Sequence, residues 1–315
     1  MTTAPWLRRL AIMSVGAGSI RLLKVPYDSG HLDVRMGAGP TALVRAGAAR
    51  QLRDQGLHVR ERLIEVASWR AEVRTAFELQ KLVADEAAAA HAAGEVPMLL
   101  SGNCNTTVGM IAALTAPDRR VGVVWLDAHG DFNTPDTDAS GFLDGHGLAM
   151  VVGRCWTALT SVIAGFQPVP EDRVVLVGAR SLDSAEQSAL QSSSVAWMPP
   201  DHARDLNDLR RTIEDLADRV DVVHVHVDLD VHDPSIAPAN SYAAANGLSA
   251  NEVQQVVRQV AIRIPVASAT LASYDPAYDP HGRMARTALE LLTLLARLAG
   301  RPGSDRLQGP DPGDR

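Results

Sequence analysis

The chain has 315 residues, of which 46% are hydrophobic and 4% aromatic, and its formal net charge at pH 7 is −7. This composition supports a large aliphatic core and argues against two kinds of partner, because there is no basic patch for nucleic acid and an acidic surface does not favour an anionic membrane. No segment approaches the roughly 20 apolar residues that cross a bilayer. The two cysteines lack a CxxC spacing, so we expect a reducing, cytoplasmic environment.

Strand and helix signals alternate along the first third of the chain, after an irregular start over residues 1–17. Apolar runs predict strands over 19–25, 58–66 and 96–100, and helical periodicity predicts helices over 41–55 and 70–93. A further helix is expected from residue 108. This alternation is typical of an α/β fold.

The remainder of the chain continues the same alternation. Helices are predicted over 151–167, 184–191, 205–219 and 284–298, with strands over 174–177 and 266–271. Ser249 and Glu252 have the spacing of a capping box that opens another helix. Residues 300–315 are rich in Gly, Pro and Asp and are predicted to be a disordered tail. We therefore expect a single domain over residues 1–299.

The stretch 121–135 reads VGVVWLDAHGDFNTP, in which an apolar strand is followed directly by polar residues. Its apolar residues do not alternate with polar ones, which suits a strand buried on both faces of a parallel sheet. Asp127, His129 and Asp131 follow at every second position and point to one side. Two carboxylates and one imidazole at the carboxyl end of a strand indicate half of a divalent-metal site.

The stretch 221–234 reads DVVHVHVDLDVHDP and supplies the other half. It is a second apolar strand that ends in Asp228 and Asp230. Four carboxylates and one imidazole exceed what one ion needs, and they suit two bridged ions with a water or hydroxide between them. His224 and His226 lie on the same side of the strand. We interpret them as packed, hydrogen-bonded core histidines. The alternative is that they donate hydrogen bonds to the side chains that bind the metal.

The motifs DAHGDFNTP and DLDVHDPSIAP resemble those of the ureohydrolases, the family of arginases and agmatinases. The resemblance runs from about Gly37 to about Leu292. It implies a three-layer α/β/α fold with a mainly parallel sheet. It also implies metal-dependent hydrolysis of a C–N bond in a guanidino-type amino acid or related amidine, through a metal-bridging hydroxide. Two divalent ions, usually Mn²⁺, would be the cofactors, and the substrate would be a small molecule.

The resemblance assigns most of the ligands directly. Asp127 and Asp228 would bridge the two ions, His129 and Asp230 would complete one ion's shell, and Asp131 and position 104 the other's. The family normally has histidine at that last position, whereas this chain has Cys104. A thiolate is softer than imidazole and favours Zn, Fe or Co.

Three interpretations of Cys104 stay open: it is a true ligand, it is a non-ligand beside a weakly bound ion, or the catalytic centre is lost. The arginase-like hydrolases of N-hydroxyarginine resemble this chain here, because they also have cysteine at this ligand and HGDFNTP afterwards. The substitution is therefore compatible with catalysis.

Further positions match the family's substrate site. Asn133 and Ser140 match residues that hold an α-carboxylate in arginases, and Asp183 and Glu186 match residues that hold the α-amino group. Together they imply a substrate with an amino-acid end. The alternative for each of the four is an ordinary polar loop residue.

Two positions at the reacting end depart from the family. Asp144 stands where arginases have a histidine proton shuttle, and His146 follows two residues later. Asp131 would carry a proton to the leaving amine, with Asp144 or His146 assisting. Ser273 stands where a glutamate clamps the guanidinium, so a less basic head group, such as a hydroxyguanidine, becomes more plausible than arginine.

A different class of function is also compatible with the sequence. Cys104, Asp144 and Ser273 together favour a non-catalytic ureohydrolase-like protein that binds a metabolite or partner. The five remaining ligands favour an enzyme, which is our prediction. Family members occur as single chains and as homo-oligomers, and the sequence does not choose between these states.

Overall fold

The fold was analysed in a computed structural model that describes residues 18–68, 71–116 and 118–299. The predictions for residues 1–17 and 300–315 lie outside the described residues. The strands are β1 (Ser19–Val25), β2 (Tyr27–Asp28), β3 (His31–Leu32), β4 (His58–Leu63), β5 (Val96–Ser101), β6 (Val121–Leu126), β7 (Val174–Val177), β8 (Ala196–Met198), β9 (Val222–Asp228) and β10 (Val266–Ala272).

Helices fill the connections between these strands. They are α1 (Ala38–Arg45), α2 (Ala48–Asp54), α3 (Glu72–Ala92), α4 (Thr107–Leu114), α5 (Gly147–Val151), α6 (Thr157–Thr160), α7 (Ser184–Gln191), α8 (Pro200–Arg204), α9 (Leu206–Arg219), α10 (Ala250–Arg263) and α11 (Arg283–Leu298). None of the helices described is both long and apolar enough to cross a membrane.

Eight of the strands form one sheet in the order β4-β1-β5-β10-β9-β6-β7-β8, and every pairing in it is parallel. The central strands are buried on both faces because their apolar residues do not alternate with polar ones. In β6, Val124 and Leu126 belong to the core on one face, whereas Val123 and Trp125 belong to the core on the other.

Helices cover both faces of this sheet. Apolar residues of α1, α2, α9, α10 and α11 join one core, and those of α3, α4, α5 and α7 pack on the opposite face. The three-layer α/β/α architecture predicted from the sequence is thereby confirmed.

The strand order changes direction in the middle of the sheet. After β5 the chain passes through α4 and enters β6, and β10 and β9 later fill the gap between these two strands. A reversal of this kind opens a crevice at the carboxyl ends of the strands, where ligands bind in open α/β sheets. The topology therefore places the ends of β5, β6, β9 and β10 around one site.

Most predicted elements occur in the structure, and the Ser249–Glu252 capping box is confirmed. The helix predicted over 41–55 is instead two helices, because Gly47 between them adopts φ 108°. The helix predicted over 151–167 is wrong. Gly153 and Gly165 have φ values of 80° and 81°, so only the short α5 and α6 form around this region.

Candidate metal centre

Cys104, Asp127, Asp228 and Ser273 meet where four neighbouring strands end. Cys104 opens the turn after β5, Asp127 follows β6, Asp228 ends β9 and Ser273 follows β10. All four are at most 5% exposed. The Cys104 thiol donates a hydrogen bond to Asp228 Oδ2 (3.1 Å), and its Sγ lies 3.3 Å from Ser273 Oγ. The residue that departs from the family's pattern thus lies within the centre.

A second group surrounds the imidazole of His129. Its Nδ1 lies 3.4 Å from Asp127 Oδ1 and 3.4 Å from Asp230 Oδ2. Backbone amides orient both motifs, since His129 N donates to Asp127 (2.8 Å) and Asp230 N donates to Asp228 (2.8 Å). Asn240 Nδ2 also donates to Asp230 Oδ2 (3.3 Å). One ligand atom from each of Asp127, His129 and Asp230 lies within 4.8 Å of the others, which is a spacing that suits an ion.

Asp131 completes the strand-end motif in a strained conformation. Its φ is 47°, in the left-handed region that non-glycine residues seldom adopt, and the N–H of Ala149 in α5 donates to its carbonyl (3.0 Å). Its Oδ2 is buried and has no hydrogen-bond partner. A buried carboxylate oxygen without a partner is costly unless a cation or donor satisfies it.

Burial and mutual repulsion dominate the electrostatics of the centre. Burial raises the pKa of Asp127, Asp131 and Asp228 above the ordinary range, and neighbouring carboxylates raise it further. Burial alone would lower the pKa of His129, but Asp230 and Asp127 outweigh burial and raise it to about 12. The arrangement crowds carboxylates together in a buried crevice, which a bound cation would stabilise.

The sequence of the whole sheet region matches one family. The profile described as "Arginase family" matches residues 19–296. The chain belongs to the arginase family. Within it, the chain is 30% identical to the arginase of Bacillus caldovelox over 292 residues, covering 88% of this chain and 97% of that protein. It is 29% identical to the arginase of Bacillus subtilis strain 168, over 88% of this chain and 97% of the relative.

Solved arginase structures share the architecture of this arginase-family chain. The native structure of Bacillus caldovelox arginase superimposes with a TM-score of 0.81 at 27% identity, covering 90% of this chain and 99% of that one. The expected fold is thereby confirmed. Arginase-family proteins are amidinohydrolases, so the predicted enzyme class is confirmed as well.

Members of the arginase family use a binuclear metal site, typically with Mn²⁺, and the residues of this chain fit such a pair of ions. The donors are mostly carboxylates, which suit hard divalent cations, and Cys104 adds one thiol. The unpartnered Oδ2 of Asp131 points to the same need for a cation. Two groups of ligand atoms, Asp127 with His129 and Asp230, and Asp127 with Cys104 and His226, have distances compatible with ions.

A cavity of about 180 Å³ opens onto this centre. Its acidic lining residues are Asp131, Asp144, Asp183, Glu186, Asp228 and Asp230, and neither lysine nor arginine lines it among the described residues. Phe142 and Tyr242 stack on each other at its wall, with ring centroids 5.4 Å apart. The cavity therefore suits positively charged ligands that also carry apolar surface.

Three of the predicted substrate-binding residues meet on one side of the cavity. Asn133 Nδ2 donates to Asp183 Oδ2 (2.7 Å), and Glu186 Oε1 accepts from the N–H of Phe132 (2.9 Å). Hydrogen bonds, the largest of them from the Glu186 N–H, hold the pKa of Asp183 below its usual value, whereas burial raises the pKa of Glu186 to about 7. Asp183 is therefore an anionic partner for an ammonium group.

The structure does not bring Ser140 or His146 to the cavity, because Asp138 holds both elsewhere. Ser140 Oγ donates to Asp138 Oδ1 (2.6 Å). The ring of His146 is 3% exposed and contacts Asp138 through Nε2 (3.1 Å), while its Nδ1 accepts from Trp156 Nε1 (3.1 Å). In this arrangement neither residue lines the cavity.

Asp144 lies at the cavity wall but is saturated with hydrogen bonds. Its Oδ2 accepts from Cys104 N (3.0 Å) and Asn103 Nδ2 (2.9 Å), and its Oδ1 accepts from Asn105 N (2.8 Å) and Asn105 Nδ2 (3.0 Å). Burial raises its pKa to about 7, although these bonds oppose the rise. The contacts show that Asp144 fixes the turn that presents Cys104.

Two features of the site lie outside the predictions made from the sequence. Tyr242 and Asn240 reach the centre from a loop without a recognisable motif. The sequence pattern predicts Trp125 only as a strand residue, yet its Nε1 donates a hydrogen bond to Asp127 Oδ2 (3.0 Å). Its alternation with Asp127 along one face was the available signal, since residues two apart at a strand end point the same way.

Proposed function

We propose that this chain is a two-metal hydrolase that cleaves a C–N bond in a guanidino-type amino acid, with a hydroxyguanidino head group favoured over a guanidinium. The observation that carries the proposal is the convergence of Cys104, Asp127, Asp228 and the His129 group beneath an acidic cavity. Such a cavity suits cations, both metallic and organic.

The ligand assignment follows the strand ends. Asp127 belongs to both groups of ligand atoms, and Asp228 accepts from both the Cys104 thiol and the Asp230 N–H. These two carboxylates would therefore serve both ions, with His129 and Asp230 holding one ion and Asp131 and Cys104 the other. When bound, divalent ions lower the pKa of a water molecule and polarise the substrate. Mn²⁺ suits the oxygen-rich side, whereas the thiolate of Cys104 also suits Zn, Fe or Co.

Asp131 is the chain's carrier of the proton to the leaving amine. Asp131 lines the cavity within the proposed ligand set, so one of its carboxylate oxygens would hold the ion while the other accepts and releases a proton. Asp144 is less suited to this task, because its oxygens are already occupied by four donors.

The head-group preference rests on Ser273. At the position where the family's glutamate clamps a guanidinium, this chain presents a hydroxyl that is 2% exposed and lies 3.3 Å from Cys104 Sγ. A hydroxyl offers a neutral hydrogen bond in place of a charge-assisted one. Replacing the glutamate with serine therefore weakens the binding of a less basic hydroxyguanidine less than it weakens the binding of arginine.

The amino-acid end would be held by Asp183, Asn133 and Glu186, which also line the cavity. Asp183 provides the anion for an α-ammonium group. Asn133 provides an amide for the α-carboxylate, after exchanging its bond to Asp183. Both cysteines are free and buried, and this supports a reducing, cytoplasmic setting for the enzyme.

The test is release of urea, hydroxyurea or formamide, respectively, from a panel of guanidino (L-arginine and agmatine), hydroxyguanidino (N-hydroxy-L-arginine) and formimidoyl amino-acid substrates. Metal content is measured on the same samples. We expect metal-dependent release, with kcat/KM for the hydroxyguanidino substrate at least about tenfold above that for arginine, which corresponds to about 1.4 kcal/mol.

Asp228→Asn should abolish release, whereas Asp215→Asn, a matched change at an exposed position of α9 outside the cavity, should retain it. Fully metal-loaded protein that releases nothing from any panel member would contradict the proposal. That result would support the binding protein that Cys104, Asp144 and Ser273 also suggest. Faster turnover of arginine than of its hydroxy analogue would overturn the head-group assignment alone.

A further inference from the structure

The side chain of His226 lies at the centre although no motif assigns it there. A ring nitrogen of His226, Cys104 Sγ and an oxygen of Asp127 all lie within 4.8 Å of one another. The three residues are each at most 1% exposed. His226 lies on β9, two residues before the carboxylate that ends the strand, so its side chain points to the same face as Asp228.

Hydrogen bonds fix which nitrogen of His226 carries the proton. Its Nδ1 lies 2.8 Å from Thr107 Oγ1, and the Thr107 hydroxyl donates to Thr270 Oγ1 (3.2 Å). Because Thr107 uses its proton on Thr270, it must accept from His226. Nδ1 therefore carries the hydrogen, and Nε2 has a free lone pair, as in a metal-binding imidazole.

The polar chain behind Thr107 is complete. Thr270 Oγ1 lies 3.1 Å from His224 Nε2, and His224 Nδ1 lies 2.7 Å from Ser268 Oγ. His224 thus uses both ring nitrogens, as expected for a packed core histidine. His226 Nε2, by contrast, is buried without a partner. The two neighbouring histidines differ in the feature that distinguishes a ligand from a packed residue.

Trp125 holds the ring of His226 in place. The two rings stack with centroids 3.6 Å apart and an interplanar angle of 18°. The same Trp125 donates through Nε1 to Asp127 Oδ2 (3.0 Å). One indole therefore orients two members of the cluster, the imidazole by stacking and the carboxylate by a hydrogen bond.

We propose that His226 Nε2 is a ligand of the ion on the Cys104 side and supplies the imidazole that position 104 lacks. This inference rests on the proposed two-metal centre. Asp127, Asp131, Asp228, Cys104 and His226 would then be the available donors on that side. Nitrogen and sulfur together favour Zn or Co over Mn at this position, whereas the His129 side stays rich in oxygen.

A buried nitrogen without a partner is not sufficient evidence by itself. Both ring nitrogens of His91 and Nε2 of His232 are also unpartnered. Neither residue belongs to a group of potential ligands among the residues that the structure describes. His226 differs because one of its ring nitrogens lies at ligand spacing from a thiol and a carboxylate.

The test uses Co²⁺-loaded full-length protein and proton NMR. A histidine bound to Co²⁺ through one nitrogen shows a strongly shifted, exchangeable N–H signal from the other. We expect two such signals in the wild type, from His129 and His226, and one in His226→Gln or His226→Phe. His91→Gln, a matched change in a buried histidine, should retain both. The second Co²⁺ should bind more than about tenfold more weakly to either His226 variant.

A wild-type protein with two bound Co²⁺ ions and one shifted N–H signal would overturn the proposal, and this result needs no variant to fold. Two shifted signals and unchanged Co²⁺ affinity in the His226 variants would overturn it as well. Cys104→Ser reports separately on the thiolate through loss of the sulfur-to-cobalt absorption band. These readouts do not depend on turnover, so failure of the proposed hydrolysis and failure of this ligand assignment are distinguishable.

Discussion

A single carboxylate, that of Asp144, determines how Cys104 is presented to the centre. The turn after β5 presents three donors to it, the N–H groups of Cys104 and Asn105 and the amide of Asn103, and the Asn105 side chain adds a fourth. A carboxylate accepts at both oxygens, whereas an amide accepts at only one. Replacing the acid therefore leaves a buried donor without an acceptor.

We expect Asp144→Asn to lower the free energy of unfolding by about 1–3 kcal/mol, the cost of an unsatisfied buried polar group. It should also weaken Co²⁺ binding on the Cys104 side by more than about tenfold, because the ligand loses its support. Urea denaturation in the presence of a chelator and Co²⁺ titration measure the two effects. Lost turnover with unchanged stability and Co²⁺ binding would instead indicate that Asp144 transfers protons.

At the scale of elements, helix α7 connects fold stability with substrate binding through its N-cap residue, Asp183. Asp183 Oδ1 accepts from the N–H groups of Ala185 (2.9 Å) and Glu186 (2.8 Å) and so caps the helix. Its other oxygen holds Asn133 at the cavity. Helix α9 has an equivalent cap in Asp205, which accepts from Asn207 and Asp208 but is not among the residues that line the cavity.

The two caps make a matched pair of variants. Asp183→Ala and Asp205→Ala should each cost about 1 kcal/mol of stability, the usual effect of losing a cap. Only Asp183→Ala should raise KM, because it also removes an anion from the cavity. Thermal unfolding and steady-state kinetics check both expectations. A similar KM change in both variants would show that the effect on binding is a consequence of destabilisation.

The elements also show how far the sequence determines this fold. Apolar runs identified the buried strands β1, β5, β6, β7 and β9, because burial on both faces leaves a continuous apolar segment. The short edge strand β8 was missed, since Ala196 and Trp197 are only partly buried. The wrong helix over 151–167 reflects glycines whose positive φ values are decided by tertiary packing.

For the whole molecule, the strand order explains which parts of the site were predictable. Carboxylates at strand ends can be predicted as site residues from the sequence, because parallel strands bring their carboxyl ends to one edge of the sheet. His226 was interpreted as a packed core residue, since alternation gives only the face and not the neighbours. Its proximity to Cys104 depends on the β5-β10-β9-β6 order, which a linear motif does not contain. A linear motif likewise does not show that Asp138 holds Ser140 and His146 away from the cavity.

Stability of the whole molecule should also depend on pH through a histidine far from the centre. His91, near the end of α3, has both ring nitrogens buried without partners. Burial, with a smaller contribution from Arg119, lowers its pKa to about 4. The unfolded chain protonates this histidine near pH 6.5. As the pH falls from about 6.5 to about 4, the unfolded state therefore gains a proton that the native state does not bind, and stability is lost.

The loss from His91 should reach about 3 kcal/mol by pH 4, from a pKa difference of about 2.5 and about 1.36 kcal/mol per pH unit. His91→Leu removes this titration, so its free energy of unfolding should fall less steeply over the same range. Chelator-treated wild type and variant are compared by urea denaturation at pH 7, 6, 5 and 4. The buried acids and the other histidines titrate in both proteins and cancel in the difference. Parallel curves for the two proteins would mean that His91 is hydrated in the native state, whereas a gap that widens only below pH 6.5 would establish that it folds as a buried neutral imidazole.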